Sequence, residues 1–354
     1  MIYRMLFTIG QRSINMCDCI SSGRPYSMGL AMILIMLFHM GIPYFSVFGH
    51  WGVDIFMFVS GFGIYYSLHK TSSLFSFYKR RLVRIMPATV LFGIVIVILN
   101  CLFNRIANSG FGLPYGGDYV LWGCGLHLWY IRSLLVLYLL SPFLYSFIRL
   151  RISLPFFICI VFFLFPLCYA LQSLAQILPP SCRLLYVMTS CWTVMRFPSF
   201  FCGMIVACYG SRFKSNVVRD VIIALFFMFL ALGIRRAHLD GTLPGKHIEL
   251  VEMIWHNTQY LFLIPIVMFL CVGMGYMFSR LSEKNILSVV LRWLGSYSLE
   301  IYVVHEAVYG VLKKILSGSC PISIYYIASI SFSLLLALLL NRVCCVVVRG
   351  LRLG

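Results

Sequence analysis

The amino-acid sequence predicts an all-α fold, a polytopic membrane helical bundle of about ten transmembrane helices. Three observations carry that prediction. First, 61% of the 354 residues are hydrophobic and 11% are charged, against about 25% charged in an ordinary soluble protein. So little polar surface cannot cover a soluble core of this size, which excludes a soluble domain, a disordered chain and a secreted disulfide scaffold. Second, the apolar residues fall into runs of the length that a membrane-spanning helix needs, roughly 20 residues. Third, the basic residues cluster between alternate runs, as the positive-inside rule expects.

The runs follow one another closely. The first, near 25–43, follows a short basic segment, 1–24, which lacks the apolar stretch and small-residue cleavage site of a signal peptide. The second, near 51–69, mixes Gly52, Gly61 and Gly63 with aromatic residues, and glycines of this kind let helices approach closely. The third, near 86–103, comes after a basic loop, with Pro87 suited to a first helical turn. The fourth (126–148) carries Arg132. The fifth lies near 153–171, and a short sixth (197–210) follows Arg196. The last four lie near 219–235, 258–280, 293–312 and 321–347. The longest connections, near 104–125, 172–196 and 236–257, are too short for a soluble domain. The expected organisation is a cytoplasmic segment 1–24, a transmembrane domain 25–348 and a cytoplasmic tail 349–354. The cysteines show no metal-binding spacing, although Cys182 and Cys191 share one connection and suit a disulfide if it lies outside.

The chain has 28 Lys+Arg against 10 Asp+Glu, a net charge of +18. In a soluble protein this excess would point to nucleic acid. Here most of it orients the helices. With the N-terminus inside, the inner segments hold Lys79, Arg80, Arg81 and Arg84, then Arg149 and Arg151, Arg212, Lys214 and Arg219, and the C-terminal arginines. The outer segments hold far fewer. Both termini are therefore expected in the cytoplasm, with the bilayer rather than nucleic acid as partner.

Ionisable groups within membrane helices are costly and mark candidate functional positions. Here they are His39, Asp54, Arg132, Glu300, His305 and Glu306. The topology puts His39, Asp54, Arg132, Arg196 and His305 toward the outer side. His39 has two readings: a general base that takes a proton from a hydroxyl, or an interfacial histidine bonded to a helix end. Ser298, Tyr302, His305 and Tyr309 form one polar helical stripe, facing the interior either for chemistry or for interhelical hydrogen bonds. Asp54 is an acid suited to orienting a neighbouring His or Arg. Arg81 and Arg84, with Arg80 beside them, suit phosphate oxygens and suit equally a positive-inside anchor. No helix presents two metal ligands at i, i+4, so no metal site is expected.

Together these segments resemble the integral-membrane acyltransferase 3 family, which O-acylates cell-surface carbohydrates. The resemblance rests on Gly29 to His39, Gly52-Val-Asp54 to Phe62, Phe77-Tyr to Pro87 with its Arg-x-x-Arg, Leu128-Trp129-Tyr130, Arg196-Phe-Pro-Ser-Phe200 with Gly203, and Leu294-Gly295 to His305. It covers roughly residues 24–345. One position departs from the pattern. Met28 stands eleven before His39, where the family has an arginine, and Arg24 lies one turn earlier. The resemblance implies a cytoplasmic acyl-CoA co-substrate, acetyl-CoA being the family's common donor, with no permanently bound cofactor. It implies Arg80, Arg81 and Arg84 on the CoA phosphates and a carbohydrate hydroxyl as acceptor. It implies His39 as base, with Asp54 and His305 in the catalytic group, and Arg132, Arg196, Tyr302 and Glu300 around the substrate or transition state. It implies the plasma (inner) membrane. An export role, as transporter or flippase for a polysaccharide or lipid-linked intermediate, is the second reading, and a non-catalytic scaffold the third. The oligomeric state is not legible.

Overall fold

The computed structural model describes residues 14–42, 45, 49–71, 73–107, 129–150, 191–212, 214–242, 249–316 and 320–353. The described residues are almost wholly α-helical: α1 (Met16–His39), α2 (Gly49–His69), α3 (Leu74–Ala107), α4 (Trp129–Arg149), α5 (Cys191–Tyr209), α6 (Val217–Leu239), α7 (Glu249–Phe278), α8 (Ile286–Ser296), α9 (Ser298–Leu316) and α10 (Ile322–Leu353). The fold is all-α, as expected. The expected fifth span, 153–171, and the Cys182–Cys191 pairing lie outside the described residues.

Among the described residues, α1, most of α2, α3 and α10, and α4 are long and apolar enough to cross a membrane; α8 and α9 qualify together as a pair bent by 79°. Outward faces are apolar: Phe143, Phe229, Ile327 and Val346 are all more than half exposed. Large apolar side chains exposed on long apolar helices suit lipid rather than water.

Three boundaries differ from the hydropathy reading. Helix α1 starts at Met16, well inside the segment assigned to the cytoplasm, because the Asn15 side chain caps it by accepting the Cys17 N–H at 2.9 Å. A two-residue antiparallel pairing, Ile14 with Ser215 and Asn15 with Lys214, ties that start to the start of α6. Helix α3 starts at Leu74, so Arg80, Arg81 and Arg84 stand on a helix rather than in a loop, and Pro87 lies inside it rather than in its first turn. The expected ninth span is two helices. The Ser296 hydroxyl donates to the Arg292 carbonyl at 2.8 Å and the Ser298 hydroxyl to the Gly295 carbonyl at 2.9 Å. Side-chain bonds of this type compete with a continuous helix, and the chain turns at Tyr297.

The chain forms two compact units, and α1, α2, α4 and α8 each contribute to both. The first comprises residues up to Ser27, Val53–Ser72 and Ser133–Val289. Within it α6 packs on α7 and α7 on α5. Helices α2 and α5 meet backbone to backbone: a Cβ on Gly61 would lie 1.9 Å from the Phe200 carbonyl oxygen, and one on Gly203 2.0 Å from that of Phe58. The second comprises Met28–Gly52, Ser73–Arg132 and Val290–Gly354. Within it α9 packs on α10, and α3 packs on both.

Candidate active site

In the second unit, α1 ends at His39 and α9 carries His305 and Glu306 in succession. The polar stripe of α9 is inward, as its spacing predicts: Ser298, Tyr302, His305 and Tyr309 are all buried. His305 Nδ1 donates to the carbonyls of Ile301 at 3.1 Å and Tyr302 at 2.7 Å. Carbonyls only accept, so Nδ1 carries the ring proton. The neutral ring then presents its Nε2 lone pair, which accepts from His39 Nδ1 at 3.0 Å. His39 Nε2 is left facing the Glu306 carboxylate, 2.9 Å away.

Each contact of this row needs one proton: one on His305 Nδ1 toward the carbonyls, one between the two rings and one between His39 Nε2 and Glu306. Three protons on two imidazoles and one carboxyl leave the cluster neutral overall. His305 is buried at 1% exposure, whereas the His39 and Glu306 side chains keep 18% and 13%. The cluster is therefore closed behind His305 and open on the His39–Glu306 side. Aromatic rings wall it: Phe38 is 5.0 Å from His39, and Tyr302 and Tyr309 are each 5.6 Å from His305.

Tyr302 also meets Tyr130 of α4 edge-on at 5.1 Å. The Trp129–Arg132 stretch therefore joins this unit at the ring next to His305, with Arg132 half-buried there. Glu300 accepts the Asn341 amide of α10 at 2.8 Å, which links α9 to α10. On α3, Arg81 is half-buried with its guanidinium 5.7 Å from the Phe77 ring centroid, while Arg80 and Arg84 are exposed.

Asp54 and Arg196 belong to the first unit and to each other. Both are fully buried. The Arg196 guanidinium donates to one Asp54 oxygen, and the Ser199 hydroxyl donates to the other at 2.7 Å. Of the two partners expected for Asp54, a His or an Arg, the structure shows the Arg: Asp54 is engaged by Arg196 and Ser199, while within the second unit His39 meets His305 and Glu306. Arg196 lies within α5 as half of a buried ion pair rather than ahead of the helix at an open site. Arg24, considered as the substitute for the arginine missing at Met28, lies beside Gly63 of α2 in this same unit, where a Cβ would sit 3.2 Å from its guanidinium.

Glu306 is the residue to which sequence reasoning gave no role. The signal available was its place directly after His305, one step off the polar stripe; that α1 ends opposite it cannot be read from one helix alone. The metal expectation considered ligands on a single helix; His39, His305 and Glu306 come from two helices, and each offers a ligand atom within 4.8 Å of the others.

Comparison with known proteins adds one finding. The family model described as an acyltransferase domain, that of the acyltransferase 3 family, matches residues 29–342. No curated protein and no solved structure matches the chain. The match spans nearly the whole sequence and includes both histidines and Glu306, so the chain belongs to this family and is a membrane acyltransferase.

Proposed function

We propose that the protein moves an acyl group, acetyl in the simplest case, from cytoplasmic acyl-CoA to a hydroxyl of a cell-surface or lipid-linked carbohydrate. It does so in the plasma membrane with both termini inside. The observation that carries this reading is the chain His305–His39–Glu306 in a protein of an acyltransferase family. A histidine held in one tautomer on one side and beside a carboxylate on the other is the arrangement that general-base catalysis requires.

The chemistry follows from the proton count. The base form is the observed cluster less the proton shared by His39 and Glu306. The acceptor hydroxyl enters between His39 and Glu306 and gives its proton to His39 Nε2 as its oxygen attacks the thioester carbonyl carbon. The adjacent Glu306 carboxylate stabilises the imidazolium so formed by its charge. Collapse of the tetrahedral intermediate breaks the C–S bond, and the departing CoA thiolate takes the proton back from His39. His305 is a positioning residue, fixing the ring through its own Nδ1 bonds to the α9 backbone. Arg132, on the stretch whose Tyr130 meets Tyr302, is a cation suited to the developing oxyanion. Arg81 and Arg84, with Arg80, suit the CoA phosphates as charge-assisted donors. Their helix α3 packs directly on α9, which supports donor and base belonging to one unit.

The test is purified protein supplied with acyl-labelled acyl-CoA and a carbohydrate acceptor. Label recovered on the acceptor, with CoA release matching it, is the expected result. No transfer and no donor hydrolysis, together with glycan movement across protein-containing vesicles, would establish the export reading instead.

A further inference from the structure

The geometry points to a second use of the same three side chains: His39, His305 and Glu306 form a binding site for a divalent transition-metal ion of the zinc type, and occupancy switches the acyltransferase off. The binding half stands on the coordinates alone. The regulatory half rests on the reading of His39 as the base.

The ligand chemistry is two imidazoles and one carboxylate, a set that suits Zn2+ and leaves a fourth position open. Around zinc, ligands at about 2.0–2.1 Å in tetrahedral geometry lie roughly 3.3 Å from one another. One ion takes one nitrogen of His39, so the contacts at 3.0 Å and 2.9 Å, which use different His39 nitrogens, are not both edges of its coordination shell. One ligand atom from each of the three residues lies within 4.8 Å of the other two, and side-chain rotations that draw the widest pair in by up to about 1.5 Å give the zinc separations. His305 is already prepared as a ligand. Its Nδ1–H is held by the Ile301 and Tyr302 carbonyls, which turns the Nε2 lone pair toward the cluster, and backbone carbonyls commonly fix metal-bound imidazoles in this way. Access exists on the side where His39 and Glu306 keep partial exposure, and the aromatic rings around His305 close the rear.

The ion and the reaction compete for one lone pair. A His39 nitrogen bound to metal cannot take a proton from the acceptor, and a Glu306 oxygen bound to metal cannot stabilise the imidazolium. Metal binding replaces the proton that His39 and Glu306 share, so the neutral resting pair becomes a cationic, inert centre. The expected behaviour is reversible inhibition by zinc at one site per chain.

The experiment uses the full-length protein in detergent, without a polyhistidine tag, stripped of metal and titrated with Co2+ as a visible probe, then with Zn2+. Expected are one equivalent of Co2+ with ligand-field absorption of four- or five-coordinate character, its displacement by Zn2+, and binding at least tenfold weaker in Glu306→Gln and His305→Gln. Both variants are checked by gel filtration, and His39→Gln serves as a third in case one of them misfolds. Absence of the Co2+ spectrum, or the same binding in all folded variants, overturns the site. Zinc binding at one equivalent with undiminished acyl transfer overturns the regulatory role. A protein that binds Co2+ as described but transfers no acyl group to any acceptor refutes the catalytic reading, and with it the regulation, while the metal site stands.

Discussion

At the scale of single residues the two buried clusters call for opposite behaviour on substitution. Asp54 and Arg196 sit fully buried with no solvent to absorb a stranded charge. Truncating one partner of such a pair typically costs about 3–5 kcal/mol, whereas replacing both with apolar residues of similar volume is far less harmful. Asp54→Asn and Arg196→Met are each expected to lower the melting temperature in detergent by many degrees, and the double variant Asp54→Leu with Arg196→Met to recover most of the loss. A loss in the double variant equal to the sum of the two single losses would show that the two residues are not coupled. Glu306 calls for the reverse: little change in melting, but a fall in turnover of roughly 10–100-fold in Glu306→Gln, with partial recovery in Glu306→Asp, measured as labelled acyl transfer. The histidines were legible in the sequence as costly polar groups in apolar runs, and the stripe from Ser298 to Tyr309 was legible from its spacing. The partners were not. Which carboxylate meets His39 depends on how α1 and α9 are rotated about their axes, and Asp54 and Glu306 look alike as isolated acids in hydrophobic helices. Rotation is set by packing, which a single sequence does not display.

At the scale of elements, apolar length located helices well and located their ends poorly. Hydropathy misses the polar turns that extend α1 back to Met16 and α3 back to Leu74, because such turns resemble loops until a cap such as Asn15 or a following helical stretch is seen. It also merges α8 with α9, since the Gly-Ser-Tyr-Ser break is only a few residues long. The small-residue pattern was more informative. Gly61 was read as a packing position, and it is where α2 meets the α5 backbone. Gly61→Ala and Gly203→Ala are both expected to destabilise the protein, by about 1–3 kcal/mol or more as the backbones are forced apart. Gly233→Ala, where a Cβ meets nothing within 4 Å, should be neutral or stabilising by up to about 1 kcal/mol from helix propensity. Thermal unfolding of the three variants side by side checks this, and a loss at Gly233 equal to that at Gly61 would remove the close-packing explanation.

At the scale of the whole molecule, α3, α9 and the end of α1 belong to one compact unit, and the proposed reaction has donor and acceptor reach it from opposite sides of a membrane. The basic bias that first suggested acidic partners is then an orientation signal, and its consequence is testable with thiol labelling. Cys320 is exposed, in the connection assigned to the outside. It should react with a membrane-impermeant maleimide in intact cells, and labelling should fall in Cys320→Ser. Ser73→Cys, in that variant, should add label to that variant's own only after permeabilisation; the opposite pattern would invert the topology. The central claim, that His39 is the base of an acyl transfer, has a more direct measurement. Reconstituted wild-type protein and His39→Ala, matched for folded amount, are given acyl-labelled acyl-CoA and a carbohydrate acceptor, and label on the acceptor is followed in time. The account predicts a rate lower by about 10²–10⁴-fold in the variant. An undiminished rate in folded His39→Ala would contradict it.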